Sequence, residues 1–217
     1  MKETDSFRGT RLQQVIDDLD DIYGGIADAC AEWNAVSPTH CPGGCGFCCH
    51  AFQPDMLEAE ALYLAAWMIY HQADRAEAIL NGTFEPLRAD PDTGCFLFDP
   101  GSPHHCSVYG GRNLVCRLFG EAGDRGKDGR PRWKPCKFVP AEQTADAFGN
   151  PRLRERYNEA ELVEAFGAVP PVMNDIAGQV LALMPDGIHE RSPIYQALPR
   201  AIARIRMLQR YAADPDA

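Results

Sequence analysis

The sequence is short of positive charge: 21 lysines and arginines face 31 aspartates and glutamates in 217 residues, a net charge of -10. That balance offers no basic face to a nucleic-acid backbone or an anionic membrane surface, so neither partner is expected. Long hydrophobic runs are missing as well. The longest charge-free apolar stretch, Ala61 to Ala73, falls far below the roughly 20 residues that a spanning helix needs. Met1 to Gln14 contains no apolar export region, and a cytoplasmic location is expected. The chain also lacks a phosphate-binding glycine loop, a helical His-Glu-x-x-His and a nucleophile–base set, which argues against an enzyme acting by itself.

What is present begins with an ordinary globular composition, 45% apolar and 24% charged, which folds around a core. Helical spacing of Leu12, Val15, Ile16, Leu19, Ile22, Ile26, Cys30 and Trp33 predicts an amphipathic helix over Thr10 to Val36, with Cys30 in its apolar stripe. Pro54 marks the start of a long apolar helix, Met56 to Leu80, stopped at Asn81-Gly82. Thr83 to Pro140 reads as loops and short extended pieces. Within it, Cys95-Phe96-Leu97-Phe98 and Cys106-Ser107-Val108-Tyr109 look like strands, Asn113 to Gly120 like a helical turn, and Gly123 to Pro135 like a hairpin-like excursion. Helices are expected again over Arg152 to Gly167, Val172 to Met184 and Pro193 to Ala212, the last bent near Pro199. The predicted fold is mainly α, with helices surrounding an irregular cysteine-rich metal-binding centre that carries short β-strands. It is organised as one domain over 1–217, in which residues 38–140 bind the metal while 1–37 and 141–217 wrap it.

That centre is read from the cysteines. Cys41, Cys45, Cys48 and Cys49 form a C-x3-C-x2-C-C run, and Cys95, Cys106, Cys116 and Cys136 follow at longer intervals. In a reducing compartment such thiols are metal ligands more often than disulfides. Thiolate sulfur suits zinc, copper(I) and iron–sulfur clusters and excludes magnesium and calcium. The expected cofactor is an iron–sulfur cluster, 4Fe-4S for preference, or zinc; the expected partner is that metal ion or cluster itself. Cys48 and Cys49, being adjacent, project in different directions and hint at two centres. His40, His50, His104 and His105 each lie within one residue of a cysteine and are alternative ligands to thiolate. Arg112 and Arg117, close in sequence to Cys106 and Cys116, are candidates to offset cluster charge or donate hydrogen bonds to its sulfurs.

The run Cys45-Gly46-Phe47-Cys48-Cys49, followed by Cys95-Phe96-Leu97, Cys106-Ser107-Val108-Tyr109, Arg112, Cys116-Arg117 and Cys136, resembles the YkgJ-type cysteine-cluster family, described as zinc- or iron-chelating proteins. Three residues separate Cys41 from Cys45 where that family commonly has two, and Asn113 replaces its usual proline. The resemblance implies metal binding and says little about a reaction. The leading expectation is therefore a structural or electron-transfer module. Two alternatives stand beside it. Cys41, Cys45 and Cys48, with Phe47 before the last, also match the spacing of radical S-adenosylmethionine enzymes, and flagellin lysine methylases have a similar cluster. A zinc or iron carrier, or a redox-sensing thiol protein, is the third reading.

Overall fold

The computed structural model describes residues 2–88, 94–187 and 189–213 and is mainly helical. Helix α1 (Arg11–Asn34) starts where Thr10 Oγ1 accepts the Gln13 N–H at 3.2 Å, a side-chain cap. It buries Leu12, Val15, Ile16, Leu19, Tyr23, Ile26, Cys30 and Trp33 along one stripe; this is the predicted set except that Tyr23 is buried and Ile22 only half-buried. Helix α2 (Phe47–Ala51) carries Cys48 and Cys49. The chain then runs into strand β1 (Asp55–Met56), helix α3 (Glu58–His71) and helix α4 (Ala73–Leu80).

The expected single helix over Met56 to Leu80 is thus a strand and two helices. Gln72 leaves the helical region (φ −144°, ψ 51°), while its side-chain amide donates to the Ser107 carbonyl at 2.5 Å. That long-range hydrogen bond makes the break and is invisible in local sequence. At the front end β1 pairs antiparallel with strand β5 (Ser192–Pro193), Asp55 opposite Pro193 and Met56 opposite Ser192. Pro54 therefore precedes a strand rather than opening a helix.

Between α4 and β5 lie helix α5 (Leu114–Leu118), strands β2 (Asp124–Arg125) and β3 (Pro131–Trp133), helix α6 (Ala141–Thr144), strand β4 (Tyr157–Asn158), and helices α7 (Glu159–Phe166) and α8 (Met173–Ala182). Of the two expected cysteine-bearing strands, the structure forms one isolated antiparallel bridge, Phe98 with Cys106, and Tyr109–Gly111 is a 3-10 turn. Residues 89–93 of the expected loop lie outside the described residues. The hairpin is present as β2 and β3, and β4 extends it to three antiparallel strands. Helix α7 is shorter than the expected Arg152 to Gly167, because Tyr157 is drawn into the sheet opposite Trp133. Asn158 and Glu161 then cap the helix reciprocally, at 3.0 and 2.9 Å. Helix α9 (Ile194–Ala213) closes the chain, with Pro199 inside it.

The main core is made by α1, α3 and α9, with α4 and α5 against their flanks. Helix α3 is buried nearly all round, Ala59 to Ala66, as a central helix must be. A second cluster joins Trp33, Trp133, Tyr157 and Leu162, with the two indoles edge to face at 5.2 Å. Together these cores hold the cysteine loops between α1, α3 and the small sheet. Among the described residues no helix is long and apolar enough to cross a membrane.

Candidate metal centre

The loop before α2 is shaped by backbone. The Cys45 N–H donates to the Pro42 carbonyl at 3.0 Å and that of Cys49 to Gly46 at 3.0 Å. Gly46 has φ +56°, and a Cβ there would lie 2.5 Å from His105 Cβ, so the turn between Cys45 and Cys48 requires glycine. The Cys95 N–H donates to the Cys49 carbonyl at 2.9 Å, fastening the second cysteine segment to the first. Leu97 N–H donates to Cys95 Sγ at 3.4 Å. Cys116 sits on α5, whose first N–H, at Leu114, is accepted by the wholly buried Glu60 at 2.7 Å. Cys136 follows β3.

These segments surround a cavity of about 240 Å³ whose wall contains every one of the eight cysteines except Cys136; Phe52, Leu64, Leu97 and Ile194 make much of the rest. A smaller cavity of about 40 Å³ adjoins it and is lined by Cys41, Cys45, Cys48 and Cys136. All nine cysteines are free thiols; Cys41 alone is exposed, while Cys30 and Cys95 are buried. Among the described residues, no three cysteine, histidine, aspartate or glutamate side chains stand close enough to hold one ion as placed. The thiols ring a space rather than meet at a point.

Burial governs the protonation of most of them. It pushes Cys95 up to about 12, Cys106 upward and Cys116 well upward, since no cation offsets a thiolate there fully. Cys41, exposed as a residue but with its thiol partly desolvated, is raised to about 11 by that desolvation and by the nearby Cys45, Cys48 and Cys136. Cys48 is lowered to about 6, chiefly because the Cys49 thiol donates to it, and Cys49 is held up in turn. A bound cation supplies the charge that such thiolates lack and takes the place of their protons, so the donor set fits a thiophilic metal or cluster.

Residues 40–144 match a family model described as "Putative zinc- or iron-chelating domain". This stretch, just under half of the chain, is similar to the CxxCxxCC domain. YkgJ-type is another name for the same family. Neither a curated protein nor a solved structure matches the chain. The two ends of the stretch are tied together: the His40 N–H donates to Gln143 Oε1 at 2.7 Å, and Gln143 Nε2 donates to the His40 carbonyl at 3.3 Å. All eight clustered cysteines fall inside it; Cys30 lies outside, in the α1 core.

Other residues of the stretch separate by position. Arg112 lines the larger cavity, stacks over Tyr109 at 3.5 Å and donates to the Cys116 carbonyl at 3.3 Å. Arg117 turns elsewhere, over the Tyr23 ring at 4.0 Å, donating to the carbonyls of Arg112 and Gly110. His104 lines the larger cavity, His40 the smaller one. His50 faces Phe98 and accepts from an Arg88 Nη. Glu121 lines both cavities, accepts from Asn34 Nδ2 at 3.0 Å and interacts with the Cys30 thiol. Nothing in the sequence singles Glu121 out among so many acids.

Proposed function

We propose that this CxxCxxCC-like region holds its metal as an iron–sulfur cluster and that the protein is a structural or electron-transfer module. The larger cavity carries this reading. Zinc with sulfur at about 2.3 Å sets its ligands about 3.8 Å apart around one ion, whereas these thiols enclose a space of about 240 Å³ with apolar walls. A cluster spreads its irons over such a space, and apolar surroundings with few hydrogen bonds to sulfur tune its potential. Phe47 and Tyr109, 54% and 40% exposed, flank the cysteine loops at the surface.

The S-adenosylmethionine reading rests on the spacing of Cys41, Cys45 and Cys48. The described strands are two or three residues long, unlike the alternating strand–helix frame on which such enzymes are built. A carrier is supported by one feature only, the exposure of Cys41.

The test is metal content in three variants of the full chain. Cys45→Ser and Cys48→Ser lose metal and unfold at lower temperature, whereas Cys30→Ser keeps it. Equal metal content in all three removes the assignment.

A further inference from the structure

The two cavities share a wall and differ at their far sides. Cys41, Cys45 and Cys48 line both; Cys49, Cys95, Cys106 and Cys116 line the larger alone, and Cys136 the smaller alone. Cys48 and Cys49 are successive residues on α2, about 100° apart around its axis; their thiols touch, yet only Cys48 reaches the smaller cavity. The backbone reinforces the separation. Cys49 is joined to Cys95 through its carbonyl, and Cys106 follows Cys95 through the bridge with Phe98. Cys136 instead packs behind Gly120, where an added Cβ would meet its Cβ at 3.1 Å.

Tetrahedral sulfur sites and cubane clusters alike take four thiolates. Resting on the metal-binding reading above, we infer that the domain holds two centres divided between Cys48 and Cys49: one ligated by Cys49, Cys95, Cys106 and Cys116 in the larger cavity, the other by Cys41, Cys45, Cys48 and Cys136 around the smaller. The division uses all eight thiolates with none left over. It also gives the adjacent pair on α2 a use, one ligand for each centre: Cys48, which lines both cavities, and Cys49, which lines the larger alone. The two centres are then neighbours, which suits electron exchange between them.

The experiment maps thiol protection. Full-length protein, loaded with iron and sulfide or with zinc, is alkylated with iodoacetamide without denaturant, and modified cysteines are located by peptide mass spectrometry. Reactivity is read against the metal-free protein, because burial alone slows Cys95 and Cys116; all eight are further protected in the loaded wild type. In Cys136→Ser, Cys41, Cys45 and Cys48 become reactive while Cys49, Cys95, Cys106 and Cys116 stay protected; Cys116→Ser gives the converse. Both variants freeing the same set, or Cys48 travelling with Cys116, overturns the division. Graded chelator on the wild type gives the same answer without substitution: two sets of four emerge in turn, whereas simultaneous release of all eight means one centre. A wild type that takes up no metal, and whose thiols react as they do before loading, overturns the metal-binding reading itself and is thereby distinguishable.

Discussion

Glu60 joins the start of α3 to the start of the helix that carries Cys116. Its side chain is wholly buried, and its two oxygens divide their work. Oε2 accepts the Leu57 N–H at 2.7 Å, capping α3, and lies 3.3 Å from Arg191; Oε1 accepts the Leu114 N–H at 2.7 Å, starting the helix that carries Cys116. Glu60→Gln keeps one acceptor oxygen and replaces the other with an amide donor. Oriented to satisfy Leu57 and Arg191, that amide confronts the Leu114 N–H, leaving two buried donors facing each other. An orphaned buried donor costs roughly 1–3 kcal/mol. Part of this is offset because the amide has no charge to bury. A net loss of about 2 kcal/mol corresponds to a fall in Tm of roughly 4–8 °C for a chain of this size.

The pH dependence has a fixed sign. Burial raises the Glu60 carboxyl above its ordinary range against the pull of Arg191 and the two N–H groups. A carboxyl that holds its proton more tightly when folded contributes stability below its unfolded pKa and loses it as pH rises through the folded pKa. The advantage of wild type over Glu60→Gln, which cannot titrate, therefore shrinks as pH rises through that window. Calorimetry on both metal-free proteins at a series of pH values checks this, with Glu77→Gln at the surface ion pair with Arg206 as the comparison, expected within about 0.5 kcal/mol of wild type. A Glu60→Gln Tm indistinguishable from that of Glu77→Gln, or an advantage that grows with pH, refutes the reasoning.

Gly94 has φ +140°, and a Cβ there would lie 2.8 Å from the carbonyl oxygens of Cys49 and His50; Gly94→Ala costs roughly 2 kcal/mol or more and weakens metal retention, whereas Gly82→Ala, with open space around it, costs about 1 kcal/mol and leaves metal content unchanged. Trp133 is fully buried and its Nε1–H has no partner among the described residues, so Trp133→Phe costs far less in chemical denaturation than Trp133→Ala, for which about 3–5 kcal/mol is expected. Because thiols such as Cys95, raised to about 12, and Cys41, raised to about 11, give up protons on ligation, apparent metal affinity in chelator competition falls as pH is lowered, by about tenfold per unit for each proton released. A pH-independent affinity means that those thiols are not ligands.

Local signals read well where they were periodic. The α1 stripe from Leu12 to Trp33, including Cys30 as a core residue, is the buried face that the structure shows, and the turn Gly126 to Gly129 between β2 and β3 follows from Lys127-Asp128-Gly129. The failures came from partners distant in sequence. No local pattern announces that Asp55 pairs with Pro193 or that Gln72 donates to Ser107 across 35 residues. The Asn158-to-Glu161 capping pair is a local signal that starts α7 at Glu159 rather than at Arg152. In the site, cysteine spacing nominates eight thiols, and the structure gathers these around two adjoining cavities. Spacing is blind to Glu121 at both cavities and to the turning of Arg117 away toward Tyr23, because loop packing rather than spacing decides where such side chains point.

The most direct measurement is iron, zinc and acid-labile sulfide per chain, with the absorption spectrum, on protein purified without oxygen. Iron with matching sulfide and a broad band near ~400 nm is the predicted result. Zinc without sulfide contradicts the cluster and leaves a structural or carrier site in the same cysteines; protein with neither metal contradicts the account.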